Sequence, residues 1–348
     1  MSQIALTSAQ RIQALRRFDY NAREAEFLCL VGLHGGYFLR RQYDDFLHQT
    51  RGGIAAQLIG RALAKGHARA FTYRQQFNLY HLCARPFYEA LGQEDNRNRR
   101  GRQPLTIKNK VMGFDFVLEH RQHQYLATEL EKLDYFTRTL QIPRSVLPVK
   151  LYQGAKSQDQ TARYFVDKFP IFLPGQHALD RSSVVTFCFV DEGLKTIAKF
   201  ETFLAQHRAL FASLNEFGLV YVAASSARFD SAQAAFERLL TRGSPGKTGA
   251  LIDPDIRRML AHFKDRRLFE AKQFAGFDRD RLLRLRQDRD EFTGDENEAL
   301  YKKWQVAGDQ GILQILTPNT APPTPSKCAF STYLLEHDYD LFGTLTGH

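Results

Sequence analysis

Residues 22–83 read AREAEFLCLVGLHGGYFLRRQYDDFLHQTRGGIAAQLIGRALAKGHARAFTYRQQFNLYHLC. Apolar side chains recur at helical spacing three times in succession, over Ala22–His34, 38–49 and 52–65, and the period then changes from 3.6 to 2 over 68–73 and 76–83. The first pattern places Phe27, Leu28, Leu30 and Val31 on one stripe and stops at Gly35-Gly36, a pair suited to chain reversal. The second turns Tyr43, Phe46 and Leu47 inward, and the third is expected to bury Ile54, Leu58, Ile59 and Leu63.

Three short helices followed by a hairpin is the element order of a winged helix-turn-helix, in which the last helix lies in a major groove and the hairpin grips the flanking backbone. Arg51, Gln57 and Arg61 fall off the apolar stripe of the third helix and are the candidate base contacts. Arginine pairs bidentately with guanine and glutamine with adenine, so the residue types suit that task. Arg40, Arg41, Lys65, Arg69 and Arg74 are the candidate phosphate contacts, with Arg74 near the hairpin tip.

Charge placement points the same way. Residues 1–150 hold 23 Lys and Arg against 13 Asp and Glu, whereas residues 151–348 hold 25 of each, so the whole net charge of +10 sits in the half that contains this motif. A basic excess confined to one segment is the footprint of a polyanion binder, because each phosphate neutralised releases condensed counterions. The basic run NRNRRGRQ at 96–103 is expected to be either a flexible arm on DNA or a soluble loop.

A basic helix over residues 7–18, capped by Thr7 or Ser8, precedes the motif. Two helical patterns follow it, one from Pro104 with Ile107, Val111, Phe114 and Leu118 on one face, the other over 125–141, and together they read as a connector. Strand-like runs then appear at 145–152, 163–173, 183–190 and 217–224, the last two nearly all apolar, with an amphipathic helix over 194–214 between them. A buried strand, a crossover helix and a second buried strand form a βαβ unit with a parallel pair. A further helix is expected over 231–241. Residues 255–307 are helical and densely charged with alternating signs, which predicts a solvated surface of internal ion pairs or a dimerising arm. Residues 317–327 are proline-rich, and 333–345 are expected to dock back on the body.

The fold expected is therefore α/β, with an N-terminal winged helix-turn-helix and a small α/β domain patterned like a degenerate PD-(D/E)XK fold. Its segments are 1–103, the connector 104–144, the α/β domain with its charged helical extension 145–316, and the linker and tail 317–348.

Catalytic patterns are weaker. GSPGKTG at 243–249 lacks the first glycine of a phosphate-binding loop and follows a helix rather than a strand. His120 and His123 follow Glu119 at a spacing that could hold a metal, but without a zincin motif. Asp167, Asp191 and Glu192 end strands beside the βαβ unit, where PD-(D/E)XK nucleases hold Mg²⁺, with Lys168 and Lys199 as the nearest lysines. The strand 184–190 offers no carboxylate-x-Lys step. Four well-separated cysteines without CxxC pairing suit reduced thiols. No cofactor or metal is expected. No apolar run approaches the length of a membrane span and the first 14 residues lack a secretory apolar core, so a cytoplasmic protein without membrane partners is expected.

The helical triplet, the wing ARAFTYRQQFNLYHLC (68–83), the segment FCFVDEG (187–193) before a long helix and the apolar strand 218–224 together resemble the replication-relaxation family of bacterial plasmids and mobile elements. The resemblance spans 22–225. It implies binding of double-stranded DNA in plasmid or integrative-element biology, with transcriptional control or relaxosome and replication assistance as the output. Where that family carries an acidic residue two before the aspartate, this chain has Phe189. The function expected is sequence-specific binding of duplex DNA by a homodimeric regulator. A Mg²⁺-dependent nuclease or relaxosome accessory, and a protein-interaction module, are the alternatives.

Overall fold

The computed structural model describes residues 6–48, 53–72, 78–153, 160–167, 169–175, 184–193, 197–238, 254–274, 276–292, 294–316 and 327–339. The fold is mixed α/β. It forms two compact units, one made of residues 1–242 with 326–348 and the other of residues 243–325.

The first unit opens with α1 (Ser8–Arg16) and α2 (Ala22–His34), each started by a reciprocal capping box. Thr7 Oγ1 accepts from the Gln10 amide while Gln10 Oε1 accepts from the Thr7 amide, and Asn21 and Glu24 repeat the arrangement. The chain reverses at Gly36, whose φ of +79° suits glycine.

Here the structure corrects the expected helix 38–49. Tyr37–Leu39 form a short buried strand, β1, and only then does α3 (Arg40–Phe46) begin. Three consecutive bulky residues after a glycine turn favour extended backbone, and pairing with a distant strand satisfies it. After α4 (Ile54–Ala64) come β2 (Ala68–Thr72) and β3 (Asn78–Leu82), giving an antiparallel sheet of order β1-β3-β2. Tyr37 faces His81 across one ladder and Arg69 faces His81 across the other.

A short helix α5 (Arg85–Ala90) and a 3-10 turn Arg97–Arg99 lead to α6 (Pro104–Glu119). Val111 to Leu118 of α6 are all buried, two turns on every side, the mark of a core helix rather than a surface link. Phe114 and Val117 pack into the core beneath α2, α3 and α4, whereas Val111, Met112 and Phe116 pack into a second core over the larger sheet. The expected connector is thus a shared wall between two cores. The helix expected over 125–141 is a two-residue strand, β4 (Gln124–Tyr125), then α7 (Glu129–Asp134) continuing as a π-helical turn Tyr135–Thr139.

The run 163–173, expected as one strand, splits. β5 (Val149–Gln153) and β6 (Gln160–Tyr164) form a separate hairpin, and β7 (Ile171–Leu173) joins the larger sheet. Between them Phe165 takes a positive φ of 50° and Pro170 has no amide to donate, so a ladder cannot run through. In the larger sheet β8 (Val185–Asp191) and β9 (Glu216–Ala223) lie parallel, joined by α8 (Ala198–Ala212), and α9 (Phe229–Phe236) follows β9. The C-terminal segment contributes β10 (Lys327–Leu334), parallel to β9, so that the order is β10-β9-β8-β7-β4. The return to the body therefore starts at Lys327, earlier than the expected Tyr333.

The second unit contains α10 (Pro254–Glu270), α11 (Arg279–Glu291) and α12 (Asp295–Leu316), the last broken at Gly308. Met259, Phe263, Tyr301 and Trp304 are its core. Its charges pair internally, Arg258 with Asp288, Arg266 with Glu270 and Glu298, and Arg281 with Asp265. Among the described residues no helix is long and apolar enough to cross a membrane.

Candidate functional site

On α4 the buried side chains are Ala55, Leu58, Ile59 and Ala62, a single i, i+3, i+4, i+7 face. Ile54 and Leu63, expected inside, are 41% and 37% exposed. The alanines allow the close approach to the helix pair beneath that larger residues would prevent, which rotates the buried face relative to the expected stripe. The outward face then consists of Ala56, Gln57, Gly60 and Ala64. β2, the outer strand of its sheet, buries only Ala68 and leaves Arg69, Ala70, Phe71 and Thr72 exposed.

The candidate contacts are placed unequally. Gln57 stands in the middle of the outward face of α4. Arg61 lies on its flank, hydrogen-bonded to the fully buried carboxylate of Glu24, the same side chain that closes the cap of α2. Lys65 caps the end of α4 and pairs with exposed Asp19 at 3.1 Å. Arg69 projects from β2, and Arg40, 55% exposed, begins α3 within 3.8 Å of Asp44. Arg51 and Arg74 lie outside the described residues, as do Lys168 and residues 243–249.

Arg41 has a different role from the one expected. Its two terminal nitrogens each meet an oxygen of Asp115 on α6 at 2.7 Å, and its guanidinium lies 5.7 Å from the Tyr339 ring. Asp115 is 2% exposed and also accepts from Gln42 Nε2 and Tyr339 Oη. Burial works against the charge on Arg41, but the hydrogen bonds and charge of Asp115 outweigh it and raise its pKa. Buried Gln42 further caps α3 by accepting from the Leu39 amide and donates to the Val111 carbonyl. A bidentate pair of this kind fixes α3 to α6 and leaves no fork for a phosphate. Asp115 and Tyr339 were not among the expected site residues. The one signal for the first is a lone carboxylate inside the apolar run 111–118.

The basic run 96–103 is neither a flexible arm nor a plain loop. Asn98 is wholly buried, donating to the Gly32 carbonyl, accepting from Lys110 Nζ at 2.8 Å, and offering its own carbonyl to His81 Nε2 at 2.7 Å. Burial lowers the pKa of His81, and the bond to Asn98 only partly opposes it.

The strand-end carboxylates are engaged by protein partners. Asp191 accepts from Tyr221 Oη at 2.6 Å, from Arg228 at 3.1 Å and from the Gly193 amide. Burial, followed by the bond to Asp191, raises the Tyr221 pKa. Glu192 meets Lys199 at 3.2 Å and Asn109 at 3.3 Å. His120 stacks beside His123 and Phe116, with Nδ1 on the Phe116 carbonyl. Among the described residues no group of three or more His, Cys, Asp or Glu is arranged to hold a metal ion. The four cysteines are free thiols.

Two of the concavities among the described residues of the first unit have charged walls. The larger, about 340 Å³, has Glu94, Asp95 and Glu129 against Arg97, Lys132 and Arg163 on its walls, balanced in charge. The smaller, about 200 Å³, is lined by Arg97, Arg102 and Lys110 with Asp167 as its carboxylate. No protein-family model matches the chain, and no curated protein or solved structure is similar enough to count as a match.

Proposed function

We propose that residues 22–82 form a winged helix-turn-helix and that the protein binds duplex DNA sequence-specifically through it, as a homodimeric transcriptional regulator of a plasmid or mobile element. One observation carries the reading: the outward face of α4 and the outer strand β2, successive in the chain, are both left uncovered, while the opposite face of α4 is packed and β2 buries only Ala68. A helix presenting Ala56, Gly60 and Ala64 brings its backbone close to a groove floor, and Gln57 then reaches a base edge. Arg40, Lys65 and Arg69 border that face and hold phosphates, while Arg61, braced by Glu24, works at its flank. Arg41 belongs to the scaffold. Two readers in a dimer double the contacted sequence.

The test is fluorescence anisotropy on duplexes enriched by in vitro selection, beside random duplexes. Gln57→Ala is expected to weaken selected DNA by about 1–3 kcal/mol while leaving random DNA nearly unchanged. Arg69→Ala is expected to weaken both alike and to lower the salt slope by about one. No binding at physiological salt, or equal loss on both duplexes with Gln57→Ala, refutes the assignment.

A further inference from the structure

We propose that the smaller cavity of the first unit is a binding site for a small phosphate-type oxyanion, free phosphate, pyrophosphate or a phosphorylated metabolite. Three cationic side chains converge on a space of about 200 Å³, against one carboxylate, Asp167. A single water needs roughly 10–15 Å³ of such space, so the cavity is ample for a pyrophosphate. His34 also lines it, but burial, and then the charges of Lys132 and Arg11, push its pKa down to about 3 and leave it neutral. The excess positive charge therefore comes from two guanidinium groups and one ammonium group.

Two details mark the cavity as built rather than incidental. The Nε–H of Arg102 is buried and has no hydrogen-bond partner among the described residues, although its Nη2 is fixed by the Arg97 carbonyl at 3.1 Å. A buried donor left unsatisfied costs about 1–3 kcal/mol, and a small turn of the Arg102 side chain toward an acceptor in the cavity would relieve it. Arg97 is held in place by its guanidinium lying 4.4 Å from the Tyr152 ring, which orients the fork without consuming its hydrogen-bond donors. The Asn109 amide and the Thr106 hydroxyl complete a wall of neutral polar groups. An oxyanion satisfies guanidinium forks in the plane where they donate. The larger cavity, with its balanced charge, has no such preference. This inference stands apart from the DNA-binding reading.

The experiment follows thermal unfolding of the full-length chain during titration with pyrophosphate at constant ionic strength, with chloride as the control. Wild type is expected to show a saturable rise of about 5 °C at a hundredfold excess over Kd. Arg97→Gln and Arg102→Gln should each remove most of the rise, Arg102→Lys should keep part of it, and Arg69→Gln on β2 should keep all of it. If the glutamine variants fail to fold, calorimetric titration of wild type decides, with one pyrophosphate per chain expected. A rise that chloride reproduces, a rise unchanged in both glutamine variants, or no heat of binding overturns the proposal. Displacement of bound pyrophosphate by a short duplex also overturns it, since the oxyanion would then be a DNA phosphate.

Discussion

Lys132 carries a cost that the structure allows to be worked out. It is 5% exposed, its ammonium has one long hydrogen bond of 3.5 Å to the Phe169 carbonyl, and burial pushes its pKa from 10.5 down to about 8 despite the nearby charges of Glu131 and Glu129. Those two carboxylates have partners of their own, Glu131 with Arg11 and Glu129 with Arg163 and the Tyr164 amide. Removing the lysine therefore does not strand a buried acid. A gap of about 2.5 pH units at 1.36 kcal/mol each makes the folded state about 3 kcal/mol poorer at holding this proton than the unfolded chain. Below pH 8 both states are protonated and the whole penalty applies. Between pH 8 and 10.5 the folded state releases the proton while the unfolded chain keeps it, so the penalty fades as pH rises. Lys132→Met, which keeps the length of the side chain without the charge, is expected to stabilise the protein by about 3 kcal/mol at pH 7, with the advantage shrinking steadily above pH 8. Urea denaturation of both proteins from pH 6.5 to 10 reads the difference, and other titrating groups cancel between them. A variant no more stable than wild type at pH 7, with a parallel pH profile, would refute the reasoning.

Asp115→Asn, which takes away the buried counter-charge of the Arg41 guanidinium and leaves only the longer contact with Asp45 at 3.7 Å, is expected to cost about 3 kcal/mol, and Tyr339→Phe about 1 kcal/mol. Denaturant unfolding of the double variant should show a cost below the sum, because the two share one carboxylate; strict additivity would mean that the tail and α3 do not meet there. Gly36→Ala places a Cβ 2.8 Å from the Asn98 carbonyl oxygen at a positive φ, and should lower stability by at least about 1–3 kcal/mol from backbone strain alone. A thermal midpoint within a degree of wild type would count against the turn geometry. In salt titrations with DNA, Lys65→Ala is expected to reduce the slope by about one, as Arg69→Ala does, whereas an unchanged slope would place Lys65 off the backbone.

The elements legible in the chain were those whose signals are local. α1 and α2 start at capping boxes that join residues three apart, α4 carries its own buried face, and β2 and β3 pair with each other at close sequence separation. The parallel pair β8 and β9 was legible too, because strands buried on both faces are nearly all apolar. β1 was missed because three residues make a strand only when a partner some forty positions away pairs with them. The charged candidates divide along the same line. Arg69 is exposed on an edge strand whose partner lies only a few residues further along the chain, whereas the loss of Arg41 to the scaffold depends on Asp115, 74 residues distant, and on Tyr339, 224 residues beyond that.

Composition and periodicity by themselves determined that this is a mixed α/β chain, that its basic excess lies in the first 150 residues, and where most helices begin. Hydrophobic spacing and capping act over one or two turns, so they can be read without knowing what lies opposite. Only the tertiary structure decided which arginines remain available, that α6 walls two cores, that the C-terminal segment adds a strand beside β9, and that Arg97, Arg102 and Lys110 share a cavity. Those outcomes depend on which side chains meet after long loops have closed, and a charge cannot be assigned to solvent or to an ion pair until its neighbour in space is known.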